Sequence, residues 1–512
     1  MKVHLMFKDR DFDPDQPLPA NEQDLVQDLE LDTLFKAMAL GSKFLYAVAQ
    51  VAMLTSLNKP EEIIYRQDVL KDCLNNAEIV RQIYQIPIEA SGNKKKFWLG
   101  IFARTPNGVL LSSLDMMKMF VGLLRRLKAI ADEHSDKFKS TGFTTFFAMI
   151  QSELSDDYFD VVEAQLEQLA FRDGVLISAE LGQGNESTND VLRLPNQRED
   201  QGWIKEIFSR KPPVYSFHIH PRDNAGLRAL SDIKDRGVNL VANALAQAAD
   251  HIDNFLKTLQ TELAFYIGCL NLYERLTQLG APISFPIPER TGRSKHAFQG
   301  LYDVGLALTM GQRIIGNDIN ADDRLLVIIT GANQGGKSTF LRSIGLAQLM
   351  MQSGMFVSAV EFRASISTGV FTHFKRKEDA SMKSGKLDEE LGRMSGIVDQ
   401  LSPNALMLFN ESFAATNERE GSEIAGQISR ALVERQIKVF FVTHMFEFAH
   451  TFYEQGAANA LFLRAERNPD GTRTFKLREG GPLPTSHGKD IYETVFDKQS
   501  DPMRSATTAP AF

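Results

Sequence analysis

Apolar positions along the chain follow two different periods, and the change between them falls near residue 281. From about residue 21 to 280, hydrophobic residues recur three and four apart, the spacing that gathers them on one face of a helix. Residues 24–57 form one such stripe, Pro60 with Glu61 and Glu62 opens a second helix as expected of an N-terminal turn, and residues 113–138 form a third. The longest stripe runs over residues 227–279, through Ile252, Leu256, Leu259, Leu263 and Tyr266; as a single helix it would extend about 70 to 80 Å. Two stretches rich in β-formers interrupt this half, GVLISAEL at 174–181 and VYSFHIH at 214–220. They are expected to pair as a small β element within residues 174–220. His218 and His220 would share one face of its second strand, either as a metal pair or as ordinary strand histidines.

The stretch APISFPIPERTGRS at 281–294 holds three prolines and ends the helical period. Beyond it, apolar runs at 313–315, 325–330, 405–409, 438–443 and 460–467 alternate with helical stretches. That alternation predicts a mostly parallel sheet flanked by helices, closed by a hairpin through Asn468, Pro469, Asp470 and Gly471. The expected organisation is a largely α-helical domain over 1–281, an α/β domain over 282–500, and a Pro-, Ala-, Ser- and Thr-rich tail over 501–512 expected to be disordered.

Within the second half, the strand pattern at 325–330 runs into GANQGGKST, which fills the phosphate-loop pattern with Gly331, Gly336, Lys337 and Ser338. A chain of this length matches that pattern by chance roughly once in fifty, and the flanking strand and helix lower the odds further. Glycines at 331, 335 and 336 permit a tight turn that aims backbone N–H groups, including those of Ala332, Asn333 and Gln334, at phosphate oxygens. Lys337 would meet the β and γ phosphates, Ser338 would ligate Mg²⁺, and Thr339 would donate to the α phosphate. The bland alternative is a tight strand-to-helix turn with no ligand.

A second element is expected at the same sheet edge. The run ALMLFNE at 405–411 ends in Asn410 and Glu411, with Glu411 placed to orient or deprotonate a water and Asn410 standing in the magnesium shell. A carboxylate about 4 Å from a unit charge contributes ~4 kcal/mol at an effective dielectric near 20, and a neutral amide keeps only a hydrogen bond, so weak Mg²⁺ binding or slow turnover is expected. A further strand at 438–442 leads into Thr443 and His444. His444 either senses the γ phosphate or attacking water, or sits incidentally beside a Thr443 helix cap; both readings stay open.

Composition narrows the partners. With 512 residues the chain is long enough for several cores, and 43% apolar with 24% charged residues is globular. A formal net charge of -8 excludes a uniformly basic nucleic-acid coat, so any DNA contact must be local. Lys94, Lys95, Lys96, Lys375, Arg376 and Lys377 are the basic runs, either contacts or solvated loops. Cys73 and Cys269 are too few for a disulfide framework and sit in apolar helical patterns, which fits buried thiols and a cytoplasmic setting. The N-terminus carries no signal-peptide pattern, and no uninterrupted apolar stretch of about 18 residues occurs, so no membrane partner is expected.

Taken in order, these elements resemble the ATPase domain of the MutS family of DNA mismatch-repair proteins. GANQGGKST is similar to that family's GPN-x-GGKST with Ala332 in place of Pro. NESFAATNEREG at 410–421 resembles its DE-x-G-x-GT-x-x-x-DG segment, with Thr416 and Gly421 in register and Glu420 for Asp; THMFE at 443–447 resembles TH-x-x-E, and Ser486-His487-Gly488 resembles its S-Y-G element. The resemblance covers most of 282–497 and, more loosely, the helical half, where it implies a helical core, lever and clamp over 1–281. It implies an ABC-type P-loop NTPase fold, ATP and Mg²⁺ as cofactors, and a homodimer with two composite ATP sites, each completed by a partner loop whose counterpart here is 384–391. Gly385 falls where the family has its trans-acting Ser, with Ser384 one residue away, and Ile314 falls where an aromatic often stacks on adenine.

Mismatch-reading members carry an N-terminal domain with a Phe-x-Glu wedge, whereas this sequence begins almost directly with the helical core, so mismatch reading is not expected. The leading expectation is a slow ATPase that acts as a dimeric, ATP-gated clamp on duplex or branched DNA in repair or recombination. The rival is an ATP-dependent dimeric switch that binds a protein partner with little DNA affinity. A metabolic P-loop kinase is disfavoured by the long helical half.

Overall fold

The computed structural model describes residues 1–97, 105–172, 174–194, 215–332, 335–376, 385–468 and 472–483. Compact packing does not follow chain order. One unit comprises Met1–Val3, Glu78–Phe138 and Phe143–Gln260; the other comprises His4–Ala77, Lys139–Gly142 and Thr261–Phe512.

The first unit is helical, built around Pro106–His134, Asp156–Leu169 and the N-terminal part of the helix Asn224–Gln278. The helix predicted over 227–279 is therefore present as one continuous element. Pro106–Lys137 is, by length and composition alone, long and apolar enough to cross a membrane, although charged residues interrupt it. Its apolar side, including Leu114, Phe120 and Leu124, is buried in the unit, while Arg125 and Arg126 pair with Glu163 and Glu89. Those are the marks of a core helix with a solvated face.

The small β element is present with a different partner. β1 (Leu176–Leu181) pairs antiparallel with β2 (Ser187–Arg193), and residues 215–220 form no strand. The partner strand is the polar run STNDVLR, although VYSFHIH has the more strand-like composition. Short-range closure decides otherwise: Gly184 adopts φ 74° in the turn Gln183–Asn185, and Gly182 N donates to Glu186 O at 2.9 Å, so β2 reaches β1 with almost no loop to order. Arg236 on the long helix then fastens β2 through Asp190 at 2.9 Å. His218 and His220 do not sit on a paired strand, and no cluster of three His, Cys, Asp or Glu suited to a metal occurs among the described residues.

The second unit holds two sheets. β3 (Ile287–Glu289), β4 (His296–Leu301), β5 (Asn317–Asn320) and β7 (Glu361–Ser365) form a four-stranded sheet in the order β3-β7-β4-β5. β6 (Leu326–Thr330), β8 (Val370–Phe374), β9 (Leu406–Asn410), β10 (Lys438–Val442), β11 (Ala460–Arg467) and β12 (Arg473–Glu479) form a six-stranded sheet in the order β12-β11-β6-β10-β9-β8. All neighbours in the larger sheet are parallel except β11 and β12. Its central strands are continuous apolar runs because a parallel sheet is covered on both faces; Phe440, Phe441, Leu408 and Ile328 are fully buried. The strand expected at 313–315 is instead unpaired, and the pairing strand is β5. Gly316 explains the shift, since a Cβ there would lie 2.4 Å from Gly300 O at the end of β4, and pairing resumes only after this crossing.

Residues 4–77 and 261–281 pack in this sheet-bearing unit. Glu262, fully buried, accepts hydrogen bonds from Leu5 N (2.6 Å), Met6 N (3.1 Å) and Phe12 N (2.8 Å). Arg66, also buried, donates to Met6 O at 3.0 Å and to Ser353 O at 3.4 Å. The N-terminal segment thus has its backbone polar groups satisfied inside the unit.

Candidate functional site

Register across the larger sheet brings the chemistry together. Phe374 of β8 lies beside Asn410 of β9, Asn410 beside Val442 of β10, and Val442 beside Ile329 of β6. The residues that follow, Lys375, Glu411, Thr443 and Thr330, form the next row at the carboxyl edge, where ligands bind in open α/β sheets.

β6 ends in the phosphate loop. Gly331 adopts φ 119°, and a Cβ there would stand 2.9 Å from Ala465 N in β11, so both the turn and the close approach require glycine. Gly336 at φ 86° turns the chain into the helix Lys337–Gln352, whose N-terminus faces the loop. Lys337 is only 4% exposed, and its Nζ donates to Gly331 O at 2.9 Å and Ala332 O at 3.0 Å. Burial pushes this ammonium down to about 8, with the Glu411 charge opposing the shift. Ser338 Oγ donates to Asn410 Oδ1 at 2.9 Å, and Thr339 lies beside it. Gly335 is in place, whereas Asn333 and Gln334 lie outside the described residues, as do Ser384 and Ser486-His487-Gly488.

Glu411 continues β9 with its N–H on Val442 O at 2.9 Å, and its Oε1 meets His444 Nε2 at 2.6 Å. The hydrogen bond from His444 is the main reason its carboxyl lies below the usual range; burial opposes this, and the charges of His444, Lys337 and Lys375 add to it. The helix cap expected of Thr443 falls instead to Met445, at the start of the helix Phe446–Glu454. Thr443 Oγ1 accepts from Met445 N at 3.0 Å and shapes the turn, while the first amide of the next helix is capped by Glu418 at 2.8 Å, leaving His444 free to face Glu411.

Two cavities flank the start of the phosphate-loop helix. One of about 480 Å³ runs from Gly336 and Lys337 to an apolar wall that includes Leu306, Met310, Ile314 and Phe475. The other, about 670 Å³, lies on the Asn410 side with Arg342, Lys375, Arg376 and Glu389. Several of these residues carry no local sequence signal that places them at this site. Phe475 enters from β12 at φ 57°, and Lys375 arrives only through the pairing of β8 with β9. Arg342 is held by buried Asp303 at 2.5 Å, and Asp303 also caps the helix Val304–Met310. An Asp-Val-Gly-Leu start was a readable helix cap, but nothing in it pointed to Arg342.

These residues suit a nucleoside triphosphate: a buried ammonium whose hydrogen-bond partners among the described residues are carbonyls, a helix N-terminus, and an apolar-walled cavity alongside. For a divalent ion the donor set is thinner. Ser338 Oγ and Asn410 Oδ1 are neutral oxygens, and the carboxylate of the adjoining Glu411 is engaged by His444. Such a pair fits Mg²⁺ that arrives with the nucleotide and takes most of its ligands from phosphate and water.

Comparison with known families decides the relationship. A sequence model of the MutS2 N-terminal domain matches residues 58–279, and a model of MutS domain V matches residues 327–496. The chain belongs to the MutS family. The domain V match takes in Lys337, Asn410, Glu411 and His444. Relatives named DNA mismatch repair protein MutS include that of Thermotoga petrophila, 36% identical over 137 residues, 27% of this chain and 17% of the relative. The Prochlorococcus marinus protein is 31% identical over 254 residues, 48% of this chain and 28% of the relative, and that of Syntrophomonas wolfei is 26% identical over 330 residues, 58% and 38%. The chain thus spans well under half the length of these MutS relatives.

Proposed function

We propose that this MutS-family chain binds ATP, hydrolyses it slowly, and uses the cycle to open and close a dimeric clamp on duplex or branched DNA in repair or recombination, in the cytoplasm. The observation that carries the reading is the meeting of buried Lys337 with the His444–Glu411 pair at one sheet edge.

In this reading Lys337 exchanges its two carbonyl partners for β- and γ-phosphate oxygens, which relieves the cost of a buried charge held by dipoles alone. The amides of residues 331–336 and the helix N-terminus add to the same cradle, and Thr339 reaches the α phosphate. Mg²⁺ accompanying the nucleotide would rest on Ser338 and Asn410 and neutralise charge on the phosphates. His444 holds one oxygen of Glu411, leaving the other to accept a hydrogen bond from the attacking water. Because its carboxyl lies below the usual range, Glu411 orients that water more than it deprotonates it, and turnover is slow. Asn410 slows it further, since it withholds ~4 kcal/mol per unit charge pair that a carboxylate would supply at about 4 Å.

Two such sites, each completed by the other subunit's segment near 384–391, would couple nucleotide state to the clamp. Gel shifts of homoduplex, mismatched and branched DNA with and without ATP test the reading, and an absence of salt-sensitive binding to all three would sink it. The net charge of -8 favours the alternative, a dimeric switch for a protein partner. ATP-dependent capture of a partner without DNA binding would decide for that alternative.

A further inference from the structure

The segment that carries Glu411 is bent in a way its own residues resist. Glu411 at φ 53° and Phe413 at φ 62° both occupy the left-handed region, with only Ser412 between them, and neither is a glycine. Side chains avoid that region because Cβ crowds the backbone, so the surroundings must impose the turn.

Ser412 Oγ lies 2.5 Å from His373 O and 2.8 Å from His373 Nδ1. His373 Nε2 lies 3.0 Å from Glu390 O, and since a carbonyl only accepts, this ring nitrogen carries the proton. Phe413 N donates to Glu390 Oε2 at 2.8 Å, and the His373 and Phe413 rings stack at 5.2 Å with 18° between planes. Gly421 leaves room for the bend, since a Cβ there would fall 2.4 Å from Phe413 O. Ser412, His373 and Phe413 are fully buried and Glu390 is 4% exposed. Burial holds the imidazole down to about 4, so it is neutral, and the single Ser412 hydroxyl proton is shared between His373 O and the unprotonated Nδ1.

Glu390 stands on the helix Lys386–Val398, which Arg393 ties to the end of β8 through Phe374 O at 3.2 Å. Its neighbour Glu389 lines the cavity shared with Ser338, Thr339 and Asn410. One turn of one helix therefore touches both the cavity beside the phosphate loop and the bend that aims Glu411.

We propose that Glu390 is a positioning residue for Glu411. Its carboxylate oxygen holds the Phe413 peptide in the bent form, so a displacement of the helix Lys386–Val398 by an occupant of the adjoining cavity is passed to Glu411 and sets whether the bound triphosphate is hydrolysed. The proposal rests on the reading above that Glu411 orients the attacking water.

The test uses the full chain and two readouts, the dissociation constant of a fluorescent ATP analogue and the steady-state ATP turnover, for Glu390→Leu, Glu390→Gln and Ser412→Ala. Glu390→Leu removes the acceptor at similar volume and should lower kcat about ten- to hundredfold while leaving nucleotide affinity within about twofold. Glu390→Gln keeps an oxygen for Phe413 N and should restore kcat to within about threefold of the parent. Glu390→Leu turning over within about twofold of the parent, Glu390→Gln falling as far as Glu390→Leu, or affinity and kcat falling together would each overturn the proposal. If Glu390→Leu does not fold, Ser412→Ala decides by the same kcat-against-affinity split. Failure of the underlying reading looks different: Glu411→Ala would turn over at the parent rate, or the parent would not turn over at all, and both conclusions would fall together.

Discussion

The buried ammonium of Lys337 makes nucleotide affinity depend on pH in a direction the geometry dictates. Without ligand its partners are two carbonyl oxygens at 2.9 and 3.0 Å, and burial lowers it from the ordinary 10.5 to about 8. A triphosphate placed against it favours the charged form, so the bound state has the higher value. Binding therefore takes up a proton whenever the pH exceeds about 8, and affinity is fully present below that point and declines above it. The decline approaches tenfold per pH unit until the bound-state value is passed, and restoring the ordinary value alone would allow a total near ~3 kcal/mol. For the unliganded fold the sign is opposite: the protein carries the full cost of the buried charge below pH 8 and loses that cost as pH rises toward 10.5, so this group makes the empty site more stable at high pH. The assay is titration of a fluorescent ATP analogue from pH 7 to 9.5 at constant ionic strength, with Lys337→Ala as the control. Flat affinity across this window in the parent protein would refute the reasoning.

Three further outcomes follow from other parts of the molecule. Asn410→Asp should lower the Mg²⁺ concentration needed for half-maximal ATP turnover by about ten- to hundredfold, because the new charge beside Ser338 is worth at most ~4 kcal/mol per unit pair and solvent screens part of it; an unchanged Mg²⁺ titration of turnover counts against Asn410 as a metal-side residue. Glu262→Leu strands three buried N–H groups and should destabilise the sheet-bearing unit by about 3 kcal/mol or more, read as a lower urea midpoint. Chelation of divalent ions should weaken ATP binding only modestly, since Lys337 and the backbone hold the phosphates without a metal; complete loss of binding in chelator would contradict that division of labour.

The parts of this site legible in sequence are those whose signals are local. β6, β9 and β10 read as strands because a parallel sheet buried on both faces demands unbroken apolar runs, and Gly331 and Gly336 of the phosphate loop stand where φ exceeds 80°. The burial expected of Cys73 and Cys269 is observed. What escaped depends on distant partners. The four-stranded sheet joins β3 to β7, and its strands are short, with a proline in β3 and two asparagines in β5, so nothing in their own pattern marks them. At β1 the apolar run at 215–220 is the better strand by composition, yet the nearer polar segment pairs because a short connection with a glycine turn orders less chain. His373 and Glu390, which restrain the bend after Glu411, reach it from another strand and another helix, and Lys375 reaches Asn410 only through the register of β8 on β9.

Steady-state ATP hydrolysis by the full chain, measured beside Lys337→Ala and Glu411→Ala, tests the central claim most directly. The account predicts slow Mg²⁺-dependent turnover in the parent, none in Lys337→Ala, and a fall of about ten- to hundredfold in Glu411→Ala with nucleotide still bound. Turnover at the parent rate in Lys337→Ala would contradict it.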